Sequence, residues 1–254
     1  MSRMDKNIRH GLIIAAGRGV RFGTATDSRP KPLIEVAGVS LLSRTLLTAR
    51  QAGIDCFTVV TGYCGELLEA YLRQEPVTGI RVRCLLNEEW DRPNGLSVLK
   101  AKDYLQVPFV LLMADHLFES QILKNLLSAP LPSGHCRLAV DFHPEEISDL
   151  ADATKVAVQD GRVTDIGKEI QNYNAIDTGI FLCSPGIFNA LETAISRGKE
   201  SLSDGIRELA YRQCMEAMSI GDLFWQDVDD EASRMVAEKR LLGMKGGALP
   251  NGPE

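Results

Sequence analysis

The sequence predicts an α/β fold: a mixed, mostly parallel central sheet with flanking helices. Three observations lead there. Apolar runs of strand length, Leu12–Ile14, Phe57–Thr61, Val82–Leu86 and Pro108–Met113, alternate with helix-periodic stretches in the first half, as parallel strands joined by crossover helices do. The run Pro108-Phe109-Val110-Leu111-Leu112-Met113 is apolar throughout, as a strand covered on both faces is. The first strand ends in a long glycine-rich loop, not a hairpin turn. With 254 residues, 44% hydrophobic and 24% charged, the chain is long enough for a full core. One domain is expected over 1–243, followed by a Gly- and Pro-rich flexible tail at 244–254.

The loop after the first strand organises the rest. It reads Ala15-Ala16-Gly17-Arg18-Gly19-Val20-Arg21-Phe22-Gly23 and runs on to Arg29-Pro30-Lys31-Pro32. Glycines bend sharply and present bare N–H groups, which suits a loop wrapped around phosphates. Arg18, Arg21, Arg29 and Lys31 add local positive charge. A dinucleotide-binding turn needs a helix to begin at its second glycine; here a glycine and two prolines oppose one. The Gly-Lys-Ser/Thr ending of an ATPase P-loop is missing. A plain flexible loop would account for the glycines but not for the cations.

Beyond the loop, Leu33–Val36 reads as a short extended piece, and Ser40 caps a helix with Leu41, Leu42, Leu46 and Ala49 on its apolar face. Glu66–Leu72 reads as the next helix, Pro93-Asn94-Gly95 as a tight turn, and Leu96–Tyr104 as a helix. Asp115 follows the central strand, at the carboxyl end where such sheets bind ligands; capping a helix near Ser120 is its alternative role. The second half is different. Arg137–Phe142 and Ala175–Leu182 read as strands, Lys155–Thr164 as a hairpin turning at Asp160-Gly161, and Ile187–Ile195 and Leu202–Tyr211 as helices. Met215–Ile220 and Phe224–Val228 are further strands, and Asp230–Leu242 is the last helix, with Asp230 as its N-cap.

A net charge of −6 speaks against a nucleic-acid partner. No apolar run is long enough to insert in a membrane, and Met1–His10 is too polar for a signal peptide. Six cysteines, at 56, 64, 84, 136, 183 and 214, include no Cys-x-x-Cys pair and are expected as reduced, mostly buried thiols in a cytoplasmic protein. The four histidines are dispersed, which argues against a zinc site.

Local cations, a glycine loop and strand-end acids suit nucleotidyl transfer. A phosphate oxygen is already a nucleophile at neutral pH, so the site needs in-line positioning and charge relief rather than a general base. Carboxylates for Mg²⁺ complete such a site. The candidates are Asp115, Asp227 and Asp229, the last two spaced to face one side of a strand end.

The stretch from Leu12 to Lys31 resembles the signature loop of sugar-phosphate nucleotidyltransferases. The resemblance extends, in order, through Asn94-Gly95-Leu96-Ser97, Met113-Ala114-Asp115-His116, Ala153-Thr154-Lys155, Asp160-Gly161-Arg162-Val163, Ile166-Gly167-Lys168, Asp177-Thr178-Gly179 and Trp225-Gln226-Asp227-Val228-Asp229. Within that superfamily it points to the CTP:inositol-1-phosphate cytidylyltransferases. It implies a Rossmann-like fold akin to the A-type glycosyltransferases, with a nucleotide-binding half over 1–130 and an acceptor-binding half over 131–243. Lys31, Arg21 and Asp115 would be catalytic. Ala15, Ala16, Gly17, Arg18 and Gly19 would hold the CTP phosphates, with Asn94, Gly95 and Ser97 near the nucleobase and ribose. Lys155, Lys168, Asp177, Thr178 and Gly179 would line the acceptor side, and Asp115 with an acid of the pair Asp227 and Asp229 would supply the Mg²⁺ ligands. For the two lysines, a solvated edge-strand charge is an equal alternative.

Two features depart from that pattern. Some members continue into a membrane-embedded phosphotransferase, whereas this sequence ends in a polar tail, implying a separate membrane enzyme for the product. Asp230 stands where Thr is expected. Other acceptors, such as phosphocholine, a sugar 1-phosphate or an aminoalkylphosphonate, remain open, as does a non-catalytic nucleotide sensor. A choline cage would need aromatics, and the acceptor segments offer mainly Tyr173 and Phe181. A homo-oligomer is compatible with the sequence.

Overall fold

The computed structural model describes residues 8–26, 29–147 and 149–243; the tail expected over 244–254 lies outside them. The first strand, β1 (His10–Ala15), leads into a 3₁₀ stretch at Val20–Thr26, broken at Gly23, and a 3₁₀ turn at Lys31–Leu33. That turn replaces the start of the extended piece expected at Leu33–Val36. What remains extended is a small hairpin, β2 (Glu35–Val36) and β3 (Val39–Ser40). Helix α1 (Leu41–Gln51) starts where Ser40 Oγ accepts from the Ser43 N–H at 3.1 Å, as its capping residue type implies.

Strand β4 (Cys56–Thr61), helix α2 (Gly65–Gln74) and strand β5 (Arg81–Leu86) follow. Helix α3 (Gly95–Leu99) is shorter than the expected Leu96–Tyr104, because the backbone continues in turns to Tyr104. Next come β6 (Phe109–Met113), β7 (His116–Phe118), α4 (Ser120–Ser128) and β8 (Cys136–Asp141). The hairpin β9 (Lys155–Gln159) and β10 (Arg162–Gly167) turns at Asp160 and Gly161, both with positive φ, as an Asp-Gly turn favours. The chain closes with β11 (Ala175–Cys183), α5 (Gly186–Ile195), α6 (Leu202–Tyr211), β12 (Met215–Ser219), β13 (Trp225–Asp227) and α7 (Glu231–Gly243).

One nine-stranded sheet runs through the chain in the order β5-β4-β1-β6-β11-β8-β12-β10-β9. The first four are parallel, and β11 runs antiparallel to both of its long neighbours, β6 and β8. Central β6 is apolar because helices cover both its faces, and two hydrophobic cores result. Each fully buried Leu or Phe in them contributes about 1.5–3 kcal/mol.

This topology gathers the functional segments at one rim. Parallel β1 and β6 end side by side, and the Ala114 N–H bonds to the Ile14 carbonyl at 3.1 Å. The glycine loop and Asp115 therefore emerge together. Because β11 is reversed, it enters at the same rim and delivers Asp177–Gly179 there. A separate two-stranded sheet pairs β13 with β7 and sets Asp227 opposite His116.

Two expectations about reactive side chains need correction. Only Cys136 and Cys183 are buried; the other four cysteines are half-buried, because they lie at the start of a strand, on the edge strand β5 or in loops. Phe181 is in the core, so it is no acceptor-side aromatic.

Candidate active site

The glycine loop closes over Lys31. Gly19 has φ +68°, and a Cβ there would lie 2.6 Å from the Lys31 Cβ, so the tight approach requires glycine. Gly17 faces open space. The resulting cleft, about 270 Å³, is lined by Ala15, Gly17, Gly19 and Arg21 from the loop, with Lys31, Asp115 and Asp229. Ala16 lies just behind it, its carbonyl accepting from the Tyr63 N–H at 2.9 Å.

Lys31 is 6% exposed, a burial that a lysine tolerates only when its charge is paired. Its Nζ donates to Asp115 Oδ2 at 2.7 Å and to Asp229, and lies 3.9 Å from Asp227 Oδ1. Burial opposes the ammonium charge, but the three acids outweigh burial and raise the Lys31 pKa above the ordinary lysine value. Asp115 does not cap a helix: α4 starts at Ser120 with Glu119 before it and no side-chain cap.

Arg21 also contacts Asp229, and pairs with Asp152 at 2.6 Å and Asp149 at 3.5 Å. The other two loop cations turn elsewhere. Arg18 stacks its guanidinium over the Tyr63 ring at 5.4 Å, and Arg29 pairs with Glu35 at 2.7 Å. Of the four basic residues crowded in sequence, Arg21 and Lys31 are the pair that lines the cleft.

The acids differ in environment. Burial disfavours the Asp227 charge, yet His116 and Lys31 beside it hold its pKa well below the carboxylate range. Burial and the neighbouring Asp227 push Asp229 up to about 6, against the pull of Lys31. Asp230 is set apart from this group and does the structural job expected of it: its Oδ1 accepts from the Ser233 N–H at 2.7 Å at the start of α7.

His116 is the residue that sequence reasoning missed. Scattered histidines look unpromising along a chain, but β7–β13 pairing brings this one to Asp227, with Nε2 3.6 Å from Oδ2. Burial opposes its protonation; Asp227 and Asp115 prevail and raise its pKa to about 9. One atom each from Asp115, His116 and Asp227 lies within 4.8 Å of the others, a grouping able to surround a metal ion. Asp227 Oδ1 is buried without a hydrogen-bond partner, and a buried lone pair of that kind suits a hard cation. The signal available in sequence was adjacency: His116 follows Asp115 directly.

Among the residues expected to line the acceptor side, the Asp177 Oδ1 accepts from the Gly179 N–H at 2.7 Å. Burial pushes this carboxyl up to about 6 in spite of that bond and of nearby His116. The Thr178 hydroxyl is spent on the Ala139 carbonyl at 2.8 Å, so it is structural. Lys155 donates to the Lys168 carbonyl at 2.7 Å and lies 5.9 Å from the Tyr173 ring centre, while Lys168 pairs with Asp152 at 2.5 Å. Asp152 thus links Lys168, just after β10, to Arg21. Asn94, Gly95 and Ser97 stand apart from the Lys31 cleft. Asn94 Oδ1 accepts from the Leu202 N–H, Gly95 packs against the Glu200 carbonyl, and buried Ser97 Oγ accepts from Asn87 Nδ2 at 3.0 Å.

Comparison with known proteins places this geometry. The chain is 34% identical over 233 residues to a bifunctional IPC transferase and DIPP synthase of Rubrobacter xylanophilus, matching 91% of this chain and 51% of that protein. It is 26% identical over 247 residues to the CMP-5'-(3-aminopropyl)phosphonate synthase of Streptomyces rubellomurinus, covering 91% and 38% respectively. The chain spans about half the length of the bifunctional relative and less of the synthase. Among solved structures, the inositol-1-phosphate CTP transferase from T. maritima superposes with a TM-score of 0.81 at 25% identity, covering 95% of this chain and 98% of that one. The MobA-like NTP transferase domain model matches residues 11–208. That span holds the glycine loop, Lys31, Asp115 and strands β9–β11, and stops short of Asp227 and Asp229, which folding returns to Lys31. With a glycine loop, a buried lysine and a strand-end acid meeting in one cleft, the chain belongs to the family of MobA-like NTP transferase domains.

Proposed function

We propose that this chain joins CTP to inositol 1-phosphate, giving CDP-inositol and pyrophosphate. The observation that carries the reading is Lys31: a buried ammonium held among three carboxylates under a glycine loop. The relatives that bear the names above supply the identity of nucleotide and acceptor.

The chemistry follows from the residues. An oxygen of the acceptor phosphate attacks the α-phosphorus of CTP. The new P–O bond forms as the bond from the α-phosphorus to the α,β-bridging oxygen breaks, and pyrophosphate leaves with that electron pair. No proton has to move. The glycine-loop N–H groups and Arg21 hold the phosphate chain, and Lys31 neutralises charge gathering between the α-phosphate and the leaving group. Lys155 and Lys168 face the acceptor phosphate, and Asp177 accepts from its ring hydroxyls. Asn94, Gly95 and Ser97 frame the nucleobase end. Residues 1–130 thus serve the nucleotide and 131–243 the acceptor.

Mg²⁺ belongs in this reading for an electrostatic reason. Lys31, Arg21 and His116 are already matched by Asp115, Asp227 and Asp229, so a polyanionic nucleotide must bring its own cation. Asp115, Asp227 and Asp229 are the oxygen donors that fit it. When bound, the ion screens the phosphate charges and orients them. No described helix is long and apolar enough to cross a membrane. We place the reaction in the cytoplasm, with a membrane enzyme consuming the product.

Pyrophosphate release by the purified chain, given CTP, Mg²⁺ and a panel of phosphorylated acceptors, tests the reading. Inositol 1-phosphate should support release and the other nucleotides should not replace CTP. Release with an aminoalkylphosphonate instead would favour the second reading, which the Streptomyces relative supports. No release with any acceptor would favour a nucleotide sensor.

A further inference from the structure

His116 has no role in the steps above, yet its surroundings are tightly specified. Its ring stands between Asp115, its neighbour in sequence, and Asp227 at the end of β13. Nε2 is 3.6 Å from Asp227 Oδ2, and Nδ1 is 3.9 Å from Asp115 Oδ1. The register of β7 on β13 sets His116 directly opposite Asp227. Behind the ring is Gly179, at φ +71°, where a Cβ would lie 2.3 Å from Nδ1 and 2.5 Å from Cε1. The Trp225 ring meets it edge-on, with centroids 6.1 Å apart. Walled on these sides, the imidazole has little room to swing away. Nδ1 is buried and makes no hydrogen bond, so the ring is not held in place by an unrelated structural contact.

We propose that His116 is a positioning residue: by presenting Nε2 to Asp227, it sets that carboxylate to face one divalent cation together with Asp115, and Gly179 is glycine to leave room for the ring. The proposal rests on the metal reading of the site given above. Direct ligation is the competing role. Against it, Nε2 is turned to a carboxylate oxygen of Asp227. Hard cations of the Mg²⁺ class take oxygen donors, and groups that orient those donors commonly sit behind them. Gly179 thereby gains a reason beyond backbone freedom. Any side chain at that position would displace the ring.

Mn²⁺, a paramagnetic substitute for Mg²⁺, tests the proposal in the full chain. His116→Gln removes the second ring nitrogen, and Gly179→Ala displaces the ring without altering any ionisable group. Both should bind Mn²⁺ about tenfold more weakly than the wild type. For His116→Gln, turnover lost at low Mg²⁺ should return as Mg²⁺ is raised, with the KM for inositol 1-phosphate unchanged at saturating Mg²⁺. Pulsed EPR of Mn²⁺ on the wild type should show no imidazole nitrogen coupling. Circular dichroism checks each fold, and His116→Asn replaces either variant that does not fold. Unaltered Mn²⁺ affinity in both variants overturns the proposal and leaves the metal reading standing. Nitrogen coupling overturns it too, by making His116 a ligand. Failure of the wild type to bind Mn²⁺ overturns the metal reading itself, and this proposal with it.

Discussion

The Lys31 Nζ lies 2.7 Å from Asp115 Oδ2 although 84 positions separate the residues in sequence. Parallel pairing of β1 with β6 produces the meeting, since it ends both strands at one rim. Asp229 joins them from near the carboxyl end of the described chain. Replacing Lys31 with Met leaves three acids facing one another. Turnover should fall by about 10²–10³-fold, as expected when a charge-stabilising donor is lost. The variant should also gain more thermal stability from Mg²⁺ than the wild type does, because the ion then relieves an uncompensated repulsion. Melting curves with and without Mg²⁺ measure that difference.

Asp229 and Asp230 are adjacent but have opposite assignments. Asp230→Ala removes the cap from α7 and should destabilise the fold by about 0.5–2 kcal/mol, with kcat unchanged. Asp229→Asn should do the reverse: little loss of stability, a large loss of turnover and a higher Mg²⁺ requirement. Denaturant unfolding set beside steady-state kinetics separates the two. Equal kinetic losses in both would mean that α7 itself, rather than one carboxylate, supports the site.

Asp152 sits 2.6 Å from Arg21 and 2.5 Å from Lys168. This carboxylate pairs with cations that two different substrates are expected to claim. Asp152→Asn should therefore lower the KM for CTP by about two- to fivefold, the scale of a partly exposed ion pair. A similar fall is expected for the acceptor. A rise in acceptor KM would show that Asp152 holds substrate rather than competing with it.

Burial pushes the Asp177 carboxyl up to about 6, above its ordinary 3.8. Between those values the folded chain keeps a proton that the unfolded chain releases. Stability should fall as pH rises through that window, with the cost fully present above about 6. Asp177→Asn keeps an oxygen for the Gly179 N–H and removes the charge. It should melt above the wild type at pH 7.5, converge with it near pH 4, and bind the acceptor more weakly. Thermal melts across that range, with acceptor KM at neutral pH, check both halves of the expectation. A residue that costs stability at working pH but is needed for binding marks a functional site.

Local patterns in the chain sufficed to determine most of the strand and helix sequence, though not β7 or the β2–β3 hairpin, together with the Asp160-Gly161 turn, the Ser40 and Asp230 caps and the glycine loop. Each depends on neighbours within a few residues, through backbone sterics, alternation of apolar side chains or short-range hydrogen bonds. The acidic segment and Lys31 could be nominated the same way, because their residue types announce their chemistry. Other matters awaited the tertiary structure. Folding decided which of four clustered cations enter the cleft, since Arg18 and Arg29 find partners outside it. It set the carboxyl of Asp152 between two cations, and it brought His116 from an undistinguished position to the centre of the acids. Such relationships arise from strand order and register, which join segments far apart in sequence, and the electrostatics of a site exist only once those segments share a low-dielectric space.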